Sequence, residues 1–154
     1  MNGPLLGTDE FIRQVVKRSG GALWNNGSYV NRPKKGHPGS ISNHSRGLAI
    51  DFSYRQSDGK GLPNGRALGL TFLNSMIANA DALGLELVID YFDKPFGRSW
   101  RCDRAKWKQA TVKTFTGAPG GDWFHVEIAL DKALFPHAVT LAFTAVYDIS
   151  TNPV

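Results

Sequence analysis

The 154-residue chain has a single cysteine, no long apolar run and no basic or strongly apolar N-terminal leader. Because Cys102 has no partner, an internal disulfide framework and a cysteine-based zinc finger are excluded. Apolar runs such as Leu85–Ile89, which Glu86 interrupts, fall far short of the ~20 residues that a membrane-spanning helix needs. The first residues lack the pattern of a secretion signal, so we expect synthesis in a cytoplasm and no membrane insertion.

Positive charge is concentrated in one segment. The chain has 18 Lys and Arg against 13 Asp and Glu, a net charge of +5. Residues Lys94–Lys113 contain seven basic residues and one acidic residue, and a smaller basic group lies at Arg32–Lys35. Trp100 and Trp107 interleave with the larger group, a mixture that suits an anionic polymer such as nucleic acid or acidic glycan. A solvated basic loop is the alternative interpretation.

The hydrophobic pattern predicts one α+β domain over residues 1–154, with a central antiparallel β-sheet and flanking helices. Apolar residues at helical spacing predict a helix over Thr8–Ser19, with Thr8 as its cap, and a second over Arg66–Leu83. Alternating or continuous apolar residues predict strands over Leu48–Tyr54, Leu85–Phe92 and Asp122–Leu130.

Three further segments have weaker patterns. Residues Asn25–Ser42 are rich in Gly, Asn, Pro and Lys, which predicts a long loop with at most a short strand around Tyr29 and Val30. A short helix is expected near Arg104–Ala110. The apolar tail Phe135–Ile149 fits either a helix or a strand.

Two histidines and an aspartate form a candidate zinc site. On the strand Leu48–Tyr54, Asp51 faces away from the apolar side, and His44 precedes it by seven residues. His125 lies on a later predicted strand. Such a set of three ligands leaves the fourth tetrahedral position open for water, as catalytic zinc sites require. Asp122, three residues before His125, could take a proton from that water. The alternative to a metal site is that these histidines are unrelated, since a chain with four histidines contains some His and Asp pair by chance.

The order and spacing of these residues resemble a known family. The residues Ser42-x-His44-x-x-Gly47-x-Ala49-x-Asp51 match the SxHxxGxAxD motif of the zinc peptidases that include D-Ala-D-Ala carboxypeptidases, phage L-alanyl-D-glutamate endopeptidases and the hedgehog signalling domain. Asp122-Trp123-Phe124-His125 is similar to the second motif of that family. The resemblance is greatest to the peptidase domains of phage endolysins, and Tyr91–Trp107 resembles lysins from phages of mycobacteria and their relatives.

The resemblance implies a hedgehog-like fold and one Zn²⁺ per chain. It implies His44, Asp51 and His125 as metal ligands, with Ser42 as a hydrogen-bonding support. Asp122 would be the general base, although many members carry Glu there. Glu127, on the strand face of His125, is the alternative base.

The resemblance also implies groups that contact the substrate. Family members use an upstream arginine to stabilise the tetrahedral intermediate, and Arg32 is the matching candidate. Arg46 is a second choice, and His37 could donate a hydrogen bond in the transition state. From strand alternation, Phe124 is expected in the core and Trp123 in the cleft.

The implied activity is cleavage of peptidoglycan stem or cross-link peptides, with bacterial peptidoglycan as the partner of a monomeric enzyme. A phage lysin would be made in the host cytoplasm and act on the wall after release. The alternative is a module of the same fold that binds zinc and the wall without catalysis. Nucleic acid is not expected as a partner, because the basic segment lacks a recognisable nucleic-acid-binding signature.

Overall fold

A computed structural model describes residues 3–34, 37–114 and 119–149. Within these residues the helices are α1 (Leu6–Arg18), α2 (Gly65–Ala78), α3 (Ala80–Leu83), α4 (Leu130–Leu134) and α5 (Pro136–Tyr147). The strands are β1 (Trp24–Gly27), β2 (Pro33–Lys34), β3 (His37–Ile41), β4 (Ala49–Ser53), β5 (Leu85–Asp90), β6 (Arg98–Arg101), β7 (Lys106–Gln109) and β8 (Trp123–Ile128). None of the helices described is long and apolar enough to cross a membrane.

A six-stranded antiparallel sheet organises the fold, with strand order β1-β4-β8-β5-β6-β7. This sheet and its flanking helices confirm the predicted α+β class. The C-terminal strand β8 lies between β4 and β5, so the centre of the sheet joins residues that are far apart in sequence. Strands β2 and β3 form a separate two-stranded hairpin.

One face of the sheet packs against the helices. Ile50 and Phe52 of β4 lie opposite Val126 and Phe124 of β8, and all four side chains are fully buried. The aromatic rings of Phe11 in α1 and Phe143 in α5 meet edge to face in the helical layer, with centroids 5.1 Å apart. Burial of each large apolar side chain contributes about 1.5–3 kcal/mol, so this face supplies most of the stability. Residues at the alternate positions are left on the opposite face.

The first helix begins earlier than its sequence predicts. Leu6 is its first residue, so Thr8 lies inside the first turn and does not cap the helix. The Thr8 side chain is buried and its hydroxyl donates a hydrogen bond to the carbonyl of Gly47, in the turn before β4. The predicted cap was wrong because this tertiary partner competes for the hydroxyl. The predicted helix over residues 66–83 divides at Asn79 into α2 and α3, and Gly84 terminates it in the left-handed conformation.

Two of the weaker local predictions need correction, and the structure decides the alternative that the sequence left open for the tail. No strand forms at Tyr29 and Val30; instead β1 precedes them, and β2 and β3 follow. The segment predicted as a short helix near Arg104–Ala110 forms β7, because its residues pair one for one with β6. The apolar tail is helical, as α5. In each case pairing or packing with a distant segment decides between local alternatives.

Gly7→Ala tests the close approach of α1 and α4. At an open helix position this change stabilises by about 1 kcal/mol, because alanine has the better helix propensity. Here an added Cβ would lie 1.9 Å from the carbonyl oxygen of Lys132, so the two helices must move apart. We therefore expect a net loss of about 2 kcal/mol in the free energy of unfolding, measured with urea. Gly3→Ala, which meets nothing within 4 Å, is the control, and unchanged stability of Gly7→Ala would contradict the expectation.

Candidate metal centre

His44, Asp51 and His125 converge at the middle of the sheet. Asp51 on β4 lies directly opposite His125 on β8 in the antiparallel register. The Nδ1 atom of His125 is 3.0 Å from Oδ1 of Asp51 and 3.2 Å from Nε2 of His44. The third side of the triangle, from His44 Nε2 to Asp51 Oδ1, measures 3.5 Å. Three residues that the sequence places in two separate motifs therefore present their donor atoms to one point.

A tight turn over residues 43–47 brings His44 back over β4. The amide of Leu48 donates to the carbonyl of Asn43 at 2.9 Å, and the amide of Gly47 donates to the carbonyl of His44 at 3.1 Å. Gly47 has a φ of 71°, a left-handed conformation that favours glycine. The hydroxyl oxygen of Ser42 accepts a hydrogen bond from the His44 amide at 3.2 Å. Ser42 and Gly47 of the motif therefore shape the turn that carries His44.

The outer nitrogen of each imidazole faces a hydrogen-bond acceptor. Nδ1 of His44 is 3.0 Å from the carbonyl oxygen of Ser28, and Nε2 of His125 is 3.1 Å from Oε1 of Glu127. Because a carbonyl and a carboxylate only accept, these outer nitrogens carry protons. When each ring is neutral, its inner nitrogen then presents a lone pair to the centre of the triangle. Such outer partners fix the orientation of metal-binding histidines.

The group could hold a metal ion. In a tetrahedron with bonds of 2.0–2.1 Å, the ligand atoms are about 3.3–3.4 Å apart. The three sides of the triangle, 3.0, 3.2 and 3.5 Å, bracket that separation. Two imidazoles and a carboxylate are donors that first-row transition metal ions accept. Geometry and donor type agree, and three protein ligands leave a tetrahedral ion with one further position.

A proton stabilises the group when no metal is bound. Burial raises the pKa of Asp51, but hydrogen bonds from His125 and His44 outweigh that effect and lower it to about 2. Burial lowers the pKa of His125, but hydrogen bonds to Asp51 and Glu127 outweigh it and raise the pKa to about 9. At neutral pH the metal-free protein therefore carries a proton on His125 Nδ1, against Asp51. A metal ion must displace this proton.

Tyr91 interacts electrostatically with the candidate centre, and the sequence analysis did not identify it. Burial raises its pKa, the negative charges of Asp51 and Glu127 raise it further, and the positive charge of Arg32 opposes them. Its ring packs against that of Trp123, with centroids 5.4 Å apart. The tyrosine is one residue beyond β5, next to β8, and only this strand pairing brings it to the metal ligands. No local sequence signal could have found it.

The two candidate bases lie in different surroundings. Glu127 shares the sheet face of His125 and accepts the hydrogen bond from its outer nitrogen. Asp122 precedes β8, is 39% exposed, and pairs with Arg55 at 3.3 Å. Among the described residues, the group of three potential ligands includes neither carboxylate.

The remaining candidate residues are placed as follows. Trp123 lies on the face of His125, half-buried, as expected for a cleft residue, and Phe124 is in the core. Arg32 acts on Tyr91 through its charge, whereas the Arg46 side chain is exposed and donates a hydrogen bond to the Asn43 side chain at 3.4 Å. The side chain of His37 lies outside the described part of the structure.

Comparisons of the chain with protein-family models, curated proteins and solved structures give no match. The case for a function therefore depends on the two sequence motifs and on the geometry of the metal centre.

The affinity for Zn²⁺ should rise steeply with pH. Because the pKa of His125 in the metal-free protein is about 9, a proton occupies the ligand atom at pH 7 and becomes easier to displace as the pH rises. Raising the pH from 7 to 8 should raise the apparent affinity for Zn²⁺ about tenfold, as expected for one displaced proton. Calorimetric titration of the metal-free protein measures this change.

Two variants control the titration. His125→Ala should abolish high-affinity binding, whereas His137→Ala removes an exposed histidine of α5 and should leave it unchanged. Equal affinity at pH 7 and pH 8 would contradict the proposed protonation of His125.

Proposed function

We propose that this protein is a zinc-dependent peptidase that cleaves stem or cross-link peptides of bacterial peptidoglycan, as an endolysin does. The observation that carries the proposal is the convergence of His44 Nε2, Asp51 Oδ1 and His125 Nδ1 at tetrahedral spacing. The match to both family motifs, in the right order, supports the choice of zinc and of a peptide substrate. The open position of a three-ligand zinc site distinguishes a catalytic centre from a structural one.

His44, Asp51 and His125 would hold the zinc ion, which when bound would polarise a carbonyl group and acidify a water molecule. The chain's own residues orient these ligands. The Ser28 carbonyl holds the His44 ring, and the Glu127 carboxylate holds the His125 ring. The Asp51 carboxylate supplies negative charge, and its low pKa keeps it ionised throughout the neutral range.

We assign the proton-accepting role to Asp122 and an orienting role to Glu127. Glu127 already accepts a hydrogen bond from His125 Nε2, and withdrawing it would leave a buried N–H without a partner, at a cost of about 1–3 kcal/mol. The contact of Asp122 with Arg55 is long and exposed, and such ion pairs contribute only about 0–1 kcal/mol. Asp122 can therefore leave its partner at little cost, accept the proton from the attacking water and pass it to the leaving amine.

Arg32 and Tyr91 are the groups that we propose to stabilise the developing oxyanion. Tyr91 interacts electrostatically with both Arg32 and the candidate ligand Asp51. A cation and a hydroxyl donor aimed at a tetrahedral intermediate stabilise it more than they stabilise the substrate. Trp123, packed on Tyr91, supplies an aromatic wall for the peptide. Arg46, exposed beside the turn of His44, is a further candidate substrate contact.

A second candidate function is a wall-binding module that binds zinc without catalysis. The observation in its favour is that both candidate bases already have partners, Asp122 with Arg55 and Glu127 with His125. Incubation of the zinc-loaded protein with purified peptidoglycan separates the two functions. New free amino groups indicate a peptidase, and wall binding without their release indicates a module.

Asp122→Asn tests the assignment of the base. It removes the proton acceptor but no metal ligand, so we expect normal zinc content and at least a ~100-fold loss of peptidoglycan hydrolysis. Glu127→Gln should weaken zinc binding about 10-fold or more, because it disturbs the orientation of His125. Zinc content by metal analysis and amino-group release are the two measurements.

Asp81→Asn is the matched control for these variants. It changes an exposed carboxylate on α3, away from the metal centre, and should leave both measurements unchanged. Full hydrolysis by Asp122→Asn, together with loss of hydrolysis in a zinc-loaded Glu127→Gln, would transfer the role of base to Glu127.

A further inference from the structure

A row of paired residues crosses the sheet from the metal centre to its far edge. Asp51 pairs with His125, His125 with Ile89, Ile89 with Ser99, and Ser99 with Lys108. Directly paired residues of an antiparallel sheet project to the same face. Lys108 on β7 is therefore on the face of the metal ligands, opposite the helices.

A pocket of about 180 Å³ lies along the outer half of this row. Its lining includes Ile89, the immediate neighbour of His125, as well as Ser99 and Lys108. Arg104, from the turn between β6 and β7, also contributes. The pocket therefore begins one strand away from the metal centre and ends in the basic segment.

Two of the cations that line the pocket, Arg104 and Lys108, have no ion pair with an acid among the described residues. Two arginines of the basic segment do have acidic partners: Arg98, which also lines the pocket, pairs with Asp90 and Asp93, and Arg101 pairs with Asp103. Arg104 instead donates to neutral oxygens, the carbonyl and hydroxyl of Ser99 and the carbonyl of Lys106.

Lys108 is exposed and has no acidic partner within 4 Å in the described part of the chain. Lys108 and Arg104 both line the pocket. Trp100 and Trp107 of the same segment pair with each other on the helical face, where Trp100 is buried. The charged residues that line the pocket, Arg98, Arg104 and Lys108, are all cations.

We propose that this pocket binds a carboxylate of the peptide substrate, with Lys108 and Arg104 as its cationic partners. The inference rests on the proposed peptidase function and adds a substrate class, an acidic peptide. Strands lie about 4.8 Å apart, so Lys108 on β7 is about 14 Å from His125 on β8. An extended peptide advances about 3.3 Å per residue, so the pocket selects a carboxylate about four residues from the scissile bond.

The experiment uses the zinc-loaded protein and two forms of one peptidoglycan stem peptide. One form has its free carboxylates, and the other has them amidated. Lys108→Gln should raise KM and Kd for the free form about fivefold and leave kcat within twofold, because it removes a partly exposed ion pair that acts only in binding. Lys108→Arg should restore binding. Neither variant should change KM or Kd for the amidated peptide.

Lys17→Gln is the matched control, because it removes the same charge from an exposed position on α1, in the helical layer. It should leave KM and Kd for both peptides unchanged. Equal binding of both peptides by the parent protein, or an equal effect of Lys108→Gln on both, overturns the pocket assignment even when hydrolysis is efficient.

The same experiment distinguishes failure of the proposed peptidase function from failure of the pocket assignment. Without hydrolysis of either peptide, a Kd that depends on Lys108 and on the free carboxylates supports the pocket while it refutes the peptidase. If Lys108→Gln weakens binding to walls that retain their phosphate polymers but leaves peptide binding unchanged, the pocket serves phosphate and the proposal is overturned.

Discussion

The antiparallel pairing of β4 with β8 is the constraint on which the rest of the site depends. It places Asp51 directly opposite His125, although 73 residues separate the two in the chain. The same pairing buries Phe52 against Phe124 on the other face, so the core that stabilises the fold also fixes the register of the ligands. A slip of one residue would exchange the two faces and would bury the ligands in the core. Hydrophobic burial therefore positions the metal centre.

The sheet also explains why residues beyond the motifs matter. Ser28 and Glu127 face the outer nitrogens of the two imidazoles and thereby direct both lone pairs to one point. Without a cation, that arrangement concentrates negative potential, which is why His125 holds its proton so strongly. Protons and metal ions compete for the same place, since both satisfy the same electrostatic requirement. The point where the three side chains meet therefore favours a cation, because the acceptors Ser28 and Glu127 turn the lone pairs of the two imidazoles toward it.

The alternation of side chains along β6 and β7 places the charged residues of the segment Lys94–Lys113 on both faces of the sheet. From the sequence alone, the segment is a single group of basic residues interleaved with tryptophans. In the structure Arg98 is neutralised by aspartates and Trp100 lies in the core, whereas Lys108 projects to the face of the metal ligands. The count of charges was correct, but only strand alternation and ion pairing show which of them can reach a ligand.

The sequence by itself determined the α+β class, the main strands and the three residues that meet at the candidate metal centre, because local periodicity and motif spacing encode them. It misplaced the role of Thr8, and it predicted a helix where β7 forms, since in each case a distant partner outweighs a weak local preference. It gave no indication of Tyr91, whose position beside the ligands comes from the pairing of β5 with β8. Residue types set what chemistry is available, but the tertiary structure decided which groups meet, because hydrogen-bond pairing and core packing act between segments far apart in the chain.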